Sequence, residues 1–262
     1  VSDIAYTGKM TVYGRPGAGV SGGYTMSDFS SWGVPGSLEL KPEITAPGGN
    51  IHSVWGSNPV SGGGSDKYET MSGTSMAAPQ VTGMAALLAQ VIRERELEEQ
   101  TGVSLRHLTQ SLLMSTAQPL YEEASGVNCY SLLNQGAGLA RVDLAAQADS
   151  FVHVTDQEDY KVKAELGDDP DRTGLYTFDF TVTNISDTEQ TYTLDADLFR
   201  QDVFEYTPGS EIWLLDRGTT ALEGAVRFSS ANMVTDSAES RDLNGDGTTG
   251  WSRRAGACPR GG

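Results

Sequence analysis

The chain has 262 residues and a formal net charge of −17, from 35 acidic and 18 basic side chains. This acidic balance argues against nucleic acid as a partner, because binding to phosphates requires a basic face. The length suggests about two domains, and no apolar run approaches the ~20 residues that a membrane-spanning helix needs.

A short strand and an amphipathic helix are predicted in the first third of the chain. Asn50-Ile51-His52-Ser53-Val54 is an apolar-alternating run that predicts a short strand. After the small-residue turn Gly73-Thr74-Ser75-Met76-Ala77-Ala78-Pro79, apolar side chains from Val81 to Ile92 recur at helical spacing. Pro79 is expected in the first turn, where its missing N–H costs nothing. Ser75 is therefore predicted at a helix N-terminus, where free N–H groups and the positive end of the macrodipole lie.

A second helix and a turn follow. The helix is predicted from Ser104 to about Ser115, with four leucines directed inward: Leu105, Leu108, Leu112 and Leu113. Gln135-Gly136-Ala137-Gly138-Leu139 predicts a turn. This turn is not a dinucleotide-binding loop, because no strand leads into it and the third glycine of such loops is missing.

From Ser150 the apolar pattern changes to a period of two residues, which predicts half-buried strands. The clearest run is Tyr176–Val182, and Tyr192–Leu198 is expected to pair with it. Glu211–Leu215 and Ala225–Phe228 are candidates for two more strands. Several short strands at this spacing indicate a β-sandwich.

The C-terminal region begins like a calcium-binding loop. Asp242, Asn244 and Asp246 would supply oxygen ligands, but Arg253 occupies the position where such a loop needs a carboxylate. A structural calcium ion is possible there, with weak binding at most. Residues 250–262 show no periodicity and are expected to be disordered. A shift of reading frame near Gly250 would explain this tail, and an ordinary disordered terminus is the alternative.

Three sequence blocks carry a resemblance to one family. The run Gly73–Pro79 resembles the nucleophile motif of the subtilisin-like serine proteases, the subtilases. Two upstream blocks, Asp28-Phe29-Ser30-Ser31-Trp32-Gly33 and Lys41-Pro42-Glu43-Ile44-Thr45-Ala46-Pro47-Gly48, are similar to further blocks of that family and stand in the same order. Among subtilases, the resemblance is closest to the lactocepin-type cell-envelope proteinases.

The resemblance implies a domain organisation. Residues 1–149 would be the C-terminal portion of an α/β catalytic domain with a mostly parallel sheet, and residues 1–25 are loosely similar to the end of a protease-associated insertion. Residues 150–249 would be a fibronectin-III-like β-sandwich, followed by the tail at residues 250–262. The parent protein would be extracellular or associated with a bacterial cell wall.

The resemblance also implies the roles of the site residues. Ser75 would be the nucleophile towards a protein or peptide substrate, with its own backbone N–H donating to the oxyanion and no cofactor required for catalysis. The other residues of the oxyanion site and substrate cleft would be Gly73, Thr74, Met76, Ala46, Pro47 and Gly48. A serine hydroxyl is a poor nucleophile, so this chemistry also needs a base and a group that orients the base.

The base is not evident in this chain. The family places its histidine before the serine, but His52 lacks the family's His-Gly-Thr context, and His107 and His153 follow Ser75. The triad aspartate and the oxyanion asparagine are not found either. Together with the start at Val1, this leads us to expect a fragment that is inactive alone and that requires a missing N-terminal catalytic segment.

Two other classes of function stay open. One is a non-catalytic cell-surface binding module that uses the β-sandwich and the calcium-loop-like segment. The other is an esterase of the α/β-hydrolase class. Its nucleophile motif is G-x-S-x-G, and Ala77 stands where the second glycine should be, which disfavours this class.

Overall fold

The structure is a computed structural model that describes residues 24–33, 39–55, 68–122, 129–155, 158–168, 170–173, 176–192 and 196–222. Over these ranges the chain forms five helices and six strands. In chain order they are β1 (Ile51–Val54), β2 (Tyr68–Met71), α1 (Thr74–Glu94), α2 (Leu97–Thr101), α3 (Leu105–Ser115), α4 (Leu132–Gln135), α5 (Val142–Ala146), β3 (Ser150–Val154), β4 (Phe180–Asn184), β5 (Phe199–Glu205) and β6 (Trp213–Ala221). The predicted α/β character is therefore present.

Helix α1 forms where the apolar spacing predicts it. Leu88 and Ile92 are fully buried, and Val81 and Met84 pack half-buried against them. The expectation for Pro79 is wrong, because α1 begins at Thr74 and Pro79 is an interior residue of the helix. Since proline has no N–H, it cannot donate to the carbonyl four residues earlier, which is that of Ser75.

Helix α3 also agrees with its prediction. The hydroxyl of Ser104 accepts a hydrogen bond from the backbone N–H of His107 at the start of the helix. Such a cap satisfies one of the N–H groups that have no partner within the helix. Leu108, Leu112 and Leu113 are buried, and Leu105 packs half-buried beside them.

One hydrophobic core connects the helices to the first strand after residue 149. Its buried members are Leu88, Ile92, Leu97, Val103, Leu108, Leu112, Leu113, Ala145, Phe151 and Ile185. Phe151 belongs to β3, and Ile185 directly follows β4. The division into domains at 149/150 stays a prediction, but side chains from both sides of that point share this core.

The described strands form three antiparallel pairs: β1 with β2, β3 with β4, and β5 with β6. The one parallel pairing among the described residues is the bridge between Thr45 and Leu139. The mostly parallel sheet is therefore not seen in the described part of the chain. Only β5 and β6 are joined by a short connection, residues 206–212, whereas residues 155–179 separate β3 from β4.

The strand predictions after residue 150 need correction. The strand expected at Tyr176–Val182 is displaced to Phe180–Asn184 and pairs with β3. The partner expected at Tyr192–Leu198 is not a strand where the structure describes it, and β5 begins at Phe199 instead. Glu211–Leu215 overlaps the longer β6, and Ala225–Phe228 lies outside the described residues. The β-sandwich stays a prediction.

Within the described ranges, α1 is the one helix long and apolar enough to cross a membrane by length and composition. This differs from the expectation that no apolar run approaches that length. It is weak evidence for a membrane span, because core helices of soluble proteins meet the same criterion. Leu88 and Ile92 pack into the core described above, and about 11% of the apolar span is buried.

A group of charged side chains joins the segment before residue 46 to residues 159–165. Three lysine ammonium groups surround the carboxylate of Glu43: Lys41, Lys161 and Lys163. Lys163 is nine-tenths buried, lies 2.7 Å from Glu165 and donates to the carbonyl of Leu40 at 2.6 Å. Lys161 lies 3.0 Å from Asp159. This charge cluster fixes Leu40–Glu43 in place.

The cluster lowers the pKa of its carboxyl groups. Burial raises the pKa of Glu43, but the hydrogen bond from Lys41 and the charges of Lys41 and Lys163 outweigh burial, so the pKa lies below its ordinary value. At Asp159, burial, which raises the pKa, is outweighed by the hydrogen bonds from Lys161. A lowered carboxyl pKa stabilises the folded state above the unfolded pKa, and that contribution is lost as pH falls through the folded pKa.

The shared core predicts a large effect for a substitution beyond residue 149. Phe151→Ala removes a ring that is 1% exposed, so we expect it to lower the free energy of unfolding by about 3–5 kcal/mol. The matched control is Phe180→Ala on the paired strand, whose ring is 47% exposed and should cost less than about 1 kcal/mol. Urea denaturation followed by circular dichroism of the helices measures both. Equal effects would contradict a core shared with the helices.

The charge cluster predicts a dependence of stability on acid. Above about pH 4.3, the unfolded pKa of a glutamate, the Glu43 contribution is complete, and it disappears as pH falls through the lowered folded value. Between about pH 5 and pH 3, Glu43→Gln should therefore lose less stability than the unmodified chain. The difference should be below about 1 kcal/mol, because these groups are partly exposed. Glu69→Gln on exposed β2 is the control and should follow the unmodified chain in urea titrations at each pH.

Candidate active site

Ser75 is the second residue of α1, and its side chain is exposed. The helix start carries no side-chain cap, and its first turn contains no acidic residue. Neither a capping side chain nor an acidic residue of the helix therefore accepts from the backbone N–H groups of the first turn, which carry the positive end of the helix dipole. The prediction that Ser75 lies at a helix N-terminus is confirmed.

The predicted cleft loop, Ala46–Gly48, lies directly against the start of α1. The backbone N–H of Gly73 donates to the carbonyl of Gly48 at 2.8 Å. A side chain at residue 48 would place its Cβ 2.8 Å from the carbonyl oxygen of Gly73, so this approach requires glycine. The structure thus brings together the two blocks of cleft residues that the sequence places 25 positions apart.

Gln80 is a contact residue that the sequence analysis did not single out. Its side-chain amide donates to the carbonyl of Pro47 at 2.6 Å and lies 3.4 Å from the carbonyl of Met76. The signal available in the sequence was its position directly after the serine motif, five residues beyond Ser75. A single glutamine on a helix gives no indication of a bond to a distant loop.

The segment leading into the cleft loop is fixed by the turn at residues 136–140. Ala137 donates to the carbonyl of Glu43, Thr45 donates to Gly138, and Ala140 donates to Thr45, at 2.9, 2.9 and 2.8 Å. At Gly136 the backbone has φ 64°, and a Cβ there would lie 2.4 Å from the carbonyl oxygen of Pro42. This turn therefore tolerates no side chain at that glycine.

A cavity of about 800 Å³ opens beside the cleft loop and the first turns of α1. Thr74, Ala77 and Val81 line it from the helix, and Ile44–Gly49 line it from the loop. The upstream block contributes Phe29, Ser30 and Ser31. All three blocks of the resemblance therefore border one cavity.

The upstream block is held on α4 by a buried amide. The side-chain nitrogen of Asn134 donates to the carbonyls of Ser30 and Ser31 at 3.2 and 3.4 Å, and the hydroxyl of Ser30 donates to the carbonyl of Asn134 at 3.0 Å. Asn134 is fully buried. Its role was missed, because sequence alone does not show which amide side chains are buried.

His52, the one histidine before Ser75, makes its contacts within the β1–β2 pair. It lies on β1 as predicted, is exposed, and its Nδ1 is 3.0 Å from the hydroxyl oxygen of Thr70. The ring stacks on Tyr68 with a centroid distance of 5.7 Å. The structure gives no hydrogen bond between His52 and Ser75, although both residues are described.

The two histidines after Ser75 flank one tyrosine instead. His107 stacks on Tyr160 with centroids 5.3 Å apart, and His153 packs against the same ring at 4.7 Å. Burial lowers the pKa of His153. Across the described residues, which include all three histidines of the chain, no imidazole is hydrogen-bonded to Ser75.

The candidate calcium ligands, Asp242, Asn244 and Asp246, lie outside the described residues. Among the residues that the structure does describe, no group of three or more histidine, cysteine, aspartate or glutamate side chains could hold a metal ion. The calcium site therefore stays a prediction.

Proteins similar to this chain include three bacterial peptidases. The PII-type proteinase of Lacticaseibacillus paracasei and the PI-type proteinase of Lactococcus lactis subsp. cremoris are each 36% identical over 182 residues, which is 65% of this chain and 9% of each relative. The C5a peptidase of Streptococcus pyogenes is 36% identical over 170 residues, 64% of this chain and 13% of that protein. The matches thus span about a tenth of the length of these relatives.

A comparison with protein families gives the range of the match. Residues 18–162 match the Subtilase family, Peptidase S8, and this range is more than half of the 262 residues. It contains the serine motif at the start of α1, both upstream blocks and the turn at residues 136–140. It also extends past residue 149, where the sequence analysis placed a domain boundary. The chain therefore belongs to the subtilase family.

Proposed function

We propose that this chain is part of a secreted or cell-surface serine endopeptidase in which Ser75 is the nucleophile towards a protein or peptide substrate. The main observation behind the proposal is that Ser75 is exposed at a helix start without a side-chain cap. The cleft loop Ala46–Gly48 is hydrogen-bonded to the residue before that helix, Gly73. The family and the peptidase relatives support the same reaction class.

In the proposed reaction the hydroxyl oxygen of Ser75 attacks the carbonyl carbon of the scissile peptide bond. The serine proton passes to a base, and the carbonyl electrons move onto the oxygen. The backbone N–H of Ser75 donates to that oxyanion, and one such donor contributes about 3 kcal/mol to lowering the barrier. The base then protonates the leaving amine, and water releases the acyl group. No cofactor takes part in these steps.

The neighbouring residues shape the cleft in this proposal. Gly73 and Gly48 let the backbone come close to the substrate, because neither carries a side chain. Thr74 borders the cavity, and Met76 lies on the side of the leaving group, where its thioether is a target for oxidation. Ala46 and Pro47 form the facing wall.

The base, its orienting aspartate and the oxyanion asparagine are assigned to a catalytic segment outside these 262 residues. The cavity beside α1 supports this assignment, because it offers a place where that segment would dock. The backbone groups of Glu43 and Thr45 form hydrogen bonds with residues 137–140. The backbone groups of Ile44 and Ala46 alternate with them and therefore lie at the opposite edge of the segment, which faces the cavity. A further strand added at this edge would begin the parallel sheet that subtilases are expected to contain.

We place the parent protein outside the cell or in a bacterial cell wall. The resemblance to the lactocepin-type cell-envelope proteinases supports this location. Residues 150–249 would then be a fibronectin-III-like module that follows the catalytic domain.

One observation favours a non-catalytic surface module as the second candidate. The β5–β6 pair exposes Phe204 and Trp213, at 44 and 61%, and Tyr206, directly after β5, is 67% exposed. Exposed aromatic residues at one end of a strand pair are suited to binding a partner. If this is the function, removal of Ser75 leaves it unchanged, and removal of the aromatic residues abolishes it.

The chain alone should neither react with a fluorophosphonate probe nor cleave a peptide substrate, because Ser75 has no base. The full-length gene product should do both, and Ser75→Ala should lower its kcat by about 10⁶-fold. Ser53→Ala, an exposed serine on β1, is the matched control and should keep full activity. Probe labelling followed by mass spectrometry locates the modified serine.

Two results would contradict this assignment. If the full-length product keeps its activity after Ser75→Ala, Ser75 is not the nucleophile. If the isolated chain is labelled at Ser75, the base lies within it, and loss of labelling in His52→Ala would identify His52 as that base.

The C-terminal loop should bind calcium with a Kd weaker than about 10⁻⁴ M, because Arg253 replaces the carboxylate that would close the site. A cation at that position also repels the ion directly. Arg253→Asp should increase the affinity at least tenfold, which calorimetric titration of both chains would measure. Micromolar binding by the unmodified chain would disprove the proposed weak site.

A further inference from the structure

The cleft loop is attached to α1 by two hydrogen bonds of different kinds. One joins backbone atoms, from the N–H of Gly73 to the carbonyl of Gly48 at 2.8 Å. The other comes from a side chain, from the amide of Gln80 to the carbonyl of Pro47 at 2.6 Å. Gln80 is half-buried and lies one and a half helical turns after Ser75. It therefore holds the loop from further along the same helix that carries the serine.

The start of α1 depends on its hydrogen bonds to the cleft loop more than an ordinary helix start depends on contacts with a neighbouring loop. It has no side-chain cap, and its first turn has no acidic residue. Pro79 cannot donate to the carbonyl of Ser75, so the first two turns lose one internal hydrogen bond. With fewer internal bonds, the position of the first turn relative to the loop is set by the bonds that cross between them.

We infer that Gln80 is a positioning residue that fixes the distance between the cleft loop Ala46–Gly48 and the helix start carrying Ser75. The opposite side of the loop is already anchored, since Thr45 bonds to Gly138 and Ala140. The amide of Gln80 completes the attachment on the α1 side. Its effect on catalysis rests on the proposed function, whereas its effect on the loop does not.

The test uses amide hydrogen exchange of the intact chain, which requires no catalytic activity. Gln80→Met keeps the length of the side chain and removes the donor. We expect the exchange rate of the Gly73 amide, which bonds to the loop, to rise about tenfold, the equivalent of about 1.4 kcal/mol and within the range for one hydrogen bond. The amide of Leu112 in α3 should be unchanged and reports that the variant is folded.

Two further variants make the test specific. Gln90→Met on the same helix removes an exposed glutamine whose amide donates to Glu94 at 2.7 Å, so the Gly73 amide should exchange at the original rate. Gln80→His restores a ring N–H donor and should bring the rate back towards that of the unmodified chain. Equal rates in Gln80→Met and Gln90→Met, or no recovery in Gln80→His, would overturn the inference.

In the full-length protease, Gln80→Met should lower kcat more than it raises KM, because the substrate still binds while the serine is less well placed. Gln80→His should recover kcat. If the full-length product has no peptidase activity, the proposed function fails while the hydrogen-exchange result stands. If the peptidase is active but the exchange rate of the Gly73 amide is the same in Gln80→Met as in the unmodified chain, the positioning inference alone fails.

Discussion

The close approach of two backbones, at Gly48 and Gly73, is the contact on which the candidate site depends. Their hydrogen bond is 2.8 Å long, and a Cβ on residue 48 would clash with the carbonyl of residue 73 at the same distance. Because the contact involves only main-chain atoms, it leaves the side chain of Ser75 free to face solvent. Any larger residue at position 48 would push the loop from the helix and separate the two halves of the cleft.

Buried polar side chains fix the turn at residues 136–140, to which the segment before the cleft loop is bonded. Gln135 is fully buried, and its amide accepts from the N–H of Leu120 and donates to the carbonyls of Leu120 and Tyr130 at 2.8, 3.1 and 2.7 Å. Burying an amide is unfavourable unless its hydrogen bonds are made, so these bonds specify one arrangement of the turn. Asn134 beside it binds the upstream block. These bonds hold the two upstream blocks, and the Gly48–Gly73 contact joins them to the serine motif at the cavity.

The helices were predictable from the sequence and the strand pairings were not, for a physical reason. The apolar spacing that defines α1 and α3 repeats within the helix itself, so Leu88 and Leu112 could be assigned to the core without knowledge of their neighbours. The partner of a strand lies elsewhere in the chain, so its identity cannot be read from the strand itself. β4 pairs with β3, although Tyr192–Leu198 shows the same alternation of apolar and polar residues. Ser75 could be placed because its motif is local. Gln80 could not, because its partner lies 33 residues away.

The two halves of α1 differ in how they are held, and this difference bears on where a catalytic partner would act. Its C-terminal half is anchored by Leu88 and Ile92 in the core and by Arg95 just beyond it, whose guanidinium donates to the carbonyl of Ala148 at 2.9 Å. Its N-terminal half borders the open cavity instead. A helix that is apolar on more than one face is stable when a second element covers the other face. A segment that filled the cavity would therefore stabilise the serine end of α1 in the same step in which it brought a base to Ser75.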